Sequence, residues 1–209
     1  MPCCRTDYRR MFNRRFAARD ARRYRSRGLT GSARALVELA GDVRGKTVLD
    51  VGGGVGAIGL ELVAAGAERA TTVELSSGYD DAAGELAAER GAAHRIDRRV
   101  ADLVEDDLDP CDVVVMHRVV CCYPDADALM GAAADATRER LVLTYPQERA
   151  VLRPMFALLN CFLRVRRCGF RTFLHPVARI HGAAEQRGLR LERRVRHGLV
   201  WESALLVRG

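Results

Sequence analysis

The residues with the clearest chemical content lie in Val48-Leu49-Asp50-Val51-Gly52-Gly53-Gly54-Val55-Gly56, where an apolar run meets an acid and then a glycine-rich turn. Glycine lets backbone approach a ligand that a Cβ would hold off, and the helix that follows offers unpaired N–H groups to an anion. An acid followed by several such donors suits a zwitterionic ligand end. Glu74 closes the next apolar run 22 positions after Gly52, where a carboxylate in such folds can accept both hydroxyls of a ribose. Asp102, in Val100-Ala101-Asp102-Leu103, sets a carboxylate beside a backbone N–H, a pair able to read the amino and ring nitrogens of adenine. Helix capping or plain solvation is the alternative for Asp102 taken alone. His117 ends another apolar run, at the strand end where open α/β sheets bind ligands.

These residues need a frame, and the hydrophobic pattern supplies one. Short apolar runs at 47–51, 70–75, 112–116 and 141–145 read as buried strands, with a further strand expected just before Val100. Helical patterns at 55–65, 79–90 and 125–137 separate them, the last with Asp125 as N-cap. Alternation of this kind predicts βαβ units around a parallel sheet. The tail adds helices at 151–165 and 175–187 and a closing strand pair at 189–196 and 199–207. Ahead of the core, Tyr8, Met11, Phe12 and Phe16 share one face of an Arg-rich helix, and Leu36, Val37, Leu39 and Ala40 mark a short helix closed by Gly41. The division expected is an N-terminal helical arm or lid at 1–45 and a Rossmann-like domain at 46–209.

At 209 residues, 48% of them apolar, the chain fits one domain with a sizeable core. Charge is unevenly placed: net +9 over residues 1–35, −11 over 36–150 and +9 over 151–209. Basic ends that neutralise an acidic middle leave nucleic-acid binding the minor reading. No apolar leader follows Met1 and the longest apolar stretch, 154–163, is too short and interrupted to span a bilayer, so no transmembrane segment and a cytoplasmic location are expected. Seven cysteines without a small secreted scaffold point to reduced thiols. The adjacent pairs Cys3-Cys4 and Cys121-Cys122 lack the C-x-x-C spacing of structural zinc sites, so no metal is expected.

Asp50-Val51-Gly52-Gly53-Gly54, Glu74, Asp102 and the strand ending in His117 resemble, in order, the motifs of class I S-adenosylmethionine-dependent methyltransferases, over residues 46–145. The Phe12-Asn13 arm, the 119–124 stretch and the tail are more distantly similar to the magnesium-protoporphyrin O-methyltransferase branch and its bacterial relatives. Where that branch tends to carry His-Tyr-Pro, this chain has Cys122-Tyr123-Pro124, a departure that weighs against a porphyrin substrate and a His-based mechanism. The resemblance implies a seven-stranded, mostly parallel sheet with a reversed last strand, S-adenosylmethionine as cofactor and a small-molecule methyl acceptor. It places cofactor contacts at Asp50, Gly52, Gly53, Gly54, Glu74, Leu75, Ala101, Asp102, Leu103 and His117. His117 and Tyr123 are the candidates for a base.

Two rival functions share the same residues. Gly54-x-Gly56-x-x-Gly59 satisfies a dinucleotide fingerprint, which would make the chain an NAD-dependent oxidoreductase with Glu74 on the ribose. An RNA-binding module on a Rossmann-like domain would instead use the basic ends.

Overall fold

The computed structural model describes residues 5–209, with side chains from Tyr8 onward, so Cys3 and Cys4 lie outside the described residues. Seven strands form one sheet: β1 (Thr47–Val51), β2 (Arg69–Glu74), β3 (Ile96–Val100), β4 (Cys111–His117), β5 (Thr137–Pro146), β6 (Leu189–His197) and β7 (Trp201–Arg208). Their order is β3-β2-β1-β4-β5-β7-β6. The strands from β1 to β5 pair in parallel, while β7 runs antiparallel to both β5 and β6 and is the one reversed strand. Central strands are apolar on both faces, as parallel strands covered by helices must be: Val113, Val114, Val115 and Met116 of β4 are all fully buried.

The helices are α1 (Arg5–Met11), α2 (Arg14–Arg27), α3 (Ser32–Ala40), α4 (Ala57–Ala64), α5 (Asp80–Glu89), α6 (Ala126–Asp135), α7 (Leu152–Val165) and α8 (Val177–Glu185). One core packs α2, α3, α4 and α5 on one face of the sheet through Ala17, Ala21, Leu36, Leu62 and Leu86. A second packs α6 and α8 on the other through Leu129, Met130, Ala133, Ile180 and Ala184. Among the described residues no helix is long and apolar enough to cross a membrane.

Two boundaries differ from the sequence pattern. The expected helix at 125–137 ends at Asp135 and β5 begins at Thr137, because Thr137 pairs with Cys111 and its hydroxyl donates to the Ala133 carbonyl at 2.7 Å. The Arg-rich helix expected to carry Tyr8 through Phe16 is two helices. Asn13 breaks it by capping α2, its side-chain oxygen accepting from Arg15 N (3.0 Å) and Phe16 N (3.2 Å). Asp125 caps α6 as expected, accepting from Ala128 N at 3.1 Å.

Candidate functional site

The site lies beyond the C-terminal ends of β1, β2 and β4, beside the reversal in strand order, which is where open α/β sheets leave a crevice. Val51 hands the chain to the glycine turn, where Gly52 holds φ +63° and donates its N–H to Val73 O at 2.7 Å. A Cβ on Gly52 would stand 2.6 Å from Val119 Cγ2, and one on Gly53 would meet the Asp50 carboxylate and Thr72 Cγ2. Glycine is therefore required here by the packing of the turn itself, before any ligand is considered.

Two clefts meet at this turn. The smaller, an open cleft, is lined by Val51, Gly52, Val73, Glu74, Leu75, Ala101, Asp102, Leu103, Val119, Cys122, Tyr123 and Leu129, with Tyr8 from the arm. The larger runs from the turn along Gly53, Gly54, Tyr79, His117, Arg118, Cys121, Cys122 and Trp201 and is walled by α1, α2 and the loop before α3. Gly52, Glu74, Val119, Cys122 and Tyr8 belong to both. Gly52, Glu74, Leu75, Ala101, Asp102, Leu103 and Tyr123 thus converge on one cleft, while Gly53, Gly54 and His117 face the other.

Asp50 sits elsewhere, fully buried beneath the turn and lining neither cleft. Its Oδ2 accepts from Gly59 N at 3.3 Å, tying β1 to the first turns of α4, and its Oδ1 has no partner. Burial pushes this carboxyl up to about 7, the Gly59 hydrogen bond opposing and the nearby Glu74 charge reinforcing the shift. Glu74 is also buried; its Oε2 accepts from Gly54 N (3.1 Å) and its Oε1 from Ser76 N (3.3 Å). Desolvation raises it as well, against those hydrogen bonds and Arg98.

Arg98 of β3 lies below the turn. Its Nη1 donates to Gly54 O at 2.8 Å and its Nε to Asp80 Oδ1 at 2.6 Å, so one side chain clamps the turn to the start of α5. Asp102 accepts from the Tyr123 hydroxyl at 3.2 and 3.4 Å and from Val104 N at 3.0 Å, and its own N–H donates to Asp106 at 2.7 Å. The Tyr123 hydroxyl therefore stands on the wall of the smaller cleft.

His117 presents Nε2 to Ser32 Oγ at 3.0 Å. Arg118 Nη2 donates to the same hydroxyl at 3.1 Å, so Ser32 accepts from Arg118 and can direct its own hydrogen to His117. Burial, with Arg118 close by, drives the imidazole down to about 3 and keeps it neutral. Arg118 itself holds φ +61° and lays its guanidinium over the Trp201 ring, 4.3 Å from its centre. Cys121 and Cys122 line the larger cleft with their sulfurs 3.8 Å apart, both directed at Arg118 O.

Ser32, Arg98, Arg118, Tyr79 and Trp201 were not singled out from the sequence. Arg98 alone left a trace there, as one of two adjacent arginines in a strand; the others act through contacts with residues distant along the chain.

No protein-family model matches the chain, and no curated protein matches it in sequence. Among solved structures it is similar to magnesium protoporphyrin IX methyltransferase from Synechocystis PCC 6803 with bound S-adenosylhomocysteine, at TM-score 0.71 and 22% identity over 85% of this chain and 82% of that one. It is also similar to geranyl diphosphate C-methyltransferase from Streptomyces coelicolor A3(2), with Mg2+, geranyl diphosphate and S-adenosyl-L-homocysteine, at TM-score 0.72 and 14% identity over 85% and 78%. The shared property is the fold: the seven-stranded sheet with its one reversed strand.

Proposed function

We propose that the chain binds S-adenosylmethionine, adenosine in the smaller cleft and methionine end over the glycine turn, and methylates a small molecule held in the larger cleft. The observation that carries this reading is the convergence of Gly52, Glu74 and Asp102, from the ends of three separate strands, on one cleft that opens into a second.

The residues fit that ligand. Val51, Val73, Leu103 and Leu129 give the smaller cleft apolar walls for a flat base, with Asp102 and the Leu103 backbone at its edge. Glu74 accepts two backbone hydrogen bonds, and an ionised carboxylate has about four lone-pair sites, so capacity remains for two ribose hydroxyls. Asp50 acts from beneath, orienting the turn and α4 through Gly59. Bound S-adenosylmethionine supplies a methyl group on a sulfonium, which an in-line nucleophile can take. The chain's contribution is placement: the turn and the two carboxylates fix one partner while the larger cleft confines the other. His117 lines that cleft as a neutral imidazole whose Nε2 accepts from Ser32, a fixed polar group on the acceptor's side of the site. Tyr123 supports the adenosine side through Asp102.

The arm closes the site in this reading. α2 is anchored, with Ala17, Ala21 and Tyr24 buried, Tyr24 donating to Glu61 at 2.7 Å and Arg25 paired with Glu85 and Glu89. Tyr8 of α1 and Phe12 just after it pack on Phe170, at 5.9 and 5.3 Å between rings. In this reading the part that moves is α1, hinged at Asn13, with these ring contacts made in the closed form.

The NAD reading has one observation in its favour: a Cβ on Gly59 would stand 3.4 Å from Ala70, the close helix–strand approach of a fingerprint's third glycine. The sheet weighs against it, since the dinucleotide-binding order 3-2-1-4-5-6 has no antiparallel strand inserted beside the fifth. Arg14 and Arg25 of the arm are spent on acids of α5, which weakens the RNA reading. Thermal melts with S-adenosylhomocysteine, NAD and RNA at two salt concentrations separate the three, because a ligand of the folded state raises its melting temperature. S-adenosylhomocysteine alone should do so; a shift with NAD and none with S-adenosylhomocysteine would overturn the proposal.

A further inference from the structure

Helix α7 is attached to the protein by a narrow edge. Leu152, Phe156 and Leu163 are its buried residues, and Leu152 and Phe156 pack on Cys121, with Trp201 and Leu174 alongside. Asn160 ties it to the following segment, donating to Thr172 O at 2.8 Å and accepting from Thr172 N at 2.9 Å. Everything else faces outward. Val151, Met155, Leu158, Leu159, Phe162 and Val165 recur at helical spacing and form one exposed apolar stripe, with Leu158 73%, Phe162 56% and Val165 76% exposed. A contiguous apolar strip on the outside of a folded chain marks a surface that something covers.

The charges around the stripe say what. From residue 149 to 178 there are six arginines and no acidic residue. Among the described residues Arg149, Arg153, Arg164, Arg166 and Arg167 form no ion pair, whereas Arg14, Arg25 and Arg179 elsewhere are paired with carboxylates. Arg166 lies 5.7 Å from the Phe162 ring centre, its stem beside the apolar face and its head free to reach outward. A second copy of the chain would bring arginines against arginines. An apolar stripe flanked by unpaired arginines is complementary to a surface that is apolar below and anionic above, the profile of an interfacial helix.

We propose that α7 docks the protein on an anionic phospholipid surface, the 151–165 stripe entering the headgroup boundary and the arginines meeting lipid phosphates. Because its inner edge rests on Cys121 and Trp201, residues that line the larger cleft, docking lays that cleft beside the bilayer. The assignment does not depend on which cofactor the clefts hold.

The test is flotation of the full chain with vesicles of phosphatidylcholine alone and of phosphatidylcholine with phosphatidylglycerol, at low and high salt. The wild type should partition to the anionic vesicles, weakly to neutral ones, and less at high salt. L158E/F162E should lose this partition at an unchanged melting temperature, since both positions are exposed. R164E/R166E/R167E, which keeps the apolar stripe, should weaken it by about tenfold or more, each arginine near such a surface contributing roughly fivefold. Equal partition of the wild type to both vesicle types, or retention by both variants, overturns the proposal. So does sedimentation showing a dimer that L158E/F162E dissociates while no vesicle binding is seen, which would give the face to a second copy.

Discussion

Asp50 and His117 carry opposed titrations, and their opposition should be visible in the pH dependence of stability. The Asp50 carboxyl moves from 3.8 to about 7 in the folded chain because it is buried. Between those values the folded state holds a proton that the unfolded state has released, so stability present below about pH 4 is lost as pH rises through about 7. At about 1.4 kcal/mol per pH unit over about three units, the full loss approaches 4 kcal/mol. His117 moves the other way, from 6.5 to about 3. There the unfolded state binds the extra proton, so stability falls as pH drops from about 6.5 toward 3. Over pH 4 to 6.5 the two effects offset in the wild type. Asp50→Asn keeps an oxygen for the Gly59 N–H and removes only the titration; His117→Gln removes the other. Urea unfolding followed by circular dichroism across that range should show stability rising with pH in Asp50→Asn and falling in His117→Gln. Glu74, also raised, is common to all three proteins, but its charge is coupled to Asp50, so its contribution cancels between the wild type and His117→Gln and not in Asp50→Asn. Parallel profiles for wild type and Asp50→Asn would refute the assignment of Asp50 as a buried, largely desolvated acid.

The other predictions concern Tyr123 and the arm. Tyr123→Phe removes the hydroxyl bonded to Asp102 and should lower stability by about 1–2 kcal/mol with weaker S-adenosylhomocysteine binding; turnover lost at unchanged stability and affinity would make Tyr123 a base and refute its supporting role. Deleting residues 1–12 should spare the melting temperature and reduce turnover, whereas deletion through residue 28 also strips Ala17, Ala21 and Tyr24 from the core and should cost several kcal/mol. Hydrogen exchange should show α1 protected only with S-adenosylhomocysteine bound; equal protection without it sinks the lid.

The central sheet was legible because β1 and β4 carry apolar runs, and β2 a β-branched one, that end at punctuating residues, as strands buried on both faces do. β3, Ile-Asp-Arg-Arg-Val at the sheet edge, carried little apolar signal and was placed only by what followed it. The first residues of β5 are Thr-Arg-Glu-Arg, polar because that end is partly exposed, so the helix before it looked longer than it is. The glycine turn was legible as backbone chemistry, but its tightness has a cause the sequence does not display: Val119, Asp50 and Tyr79 crowd it from the protein side. For that reason Gly52→Val would damage folding as well as binding. An acid at position 50 could be recognised; that it lies under the turn rather than facing a ligand could not. Likewise the Ser32 bond to His117 joins residues 85 apart, which no local pattern announces.

The most direct measurement is a calorimetric titration of S-adenosylhomocysteine into the wild type and Glu74→Ala. One saturable site in the wild type, weakened by roughly 1.5–3 kcal/mol or about tenfold to a hundredfold in Glu74→Ala with the fold retained, is the result expected. No binding to the wild type, or identical affinities for the two proteins, would contradict the account.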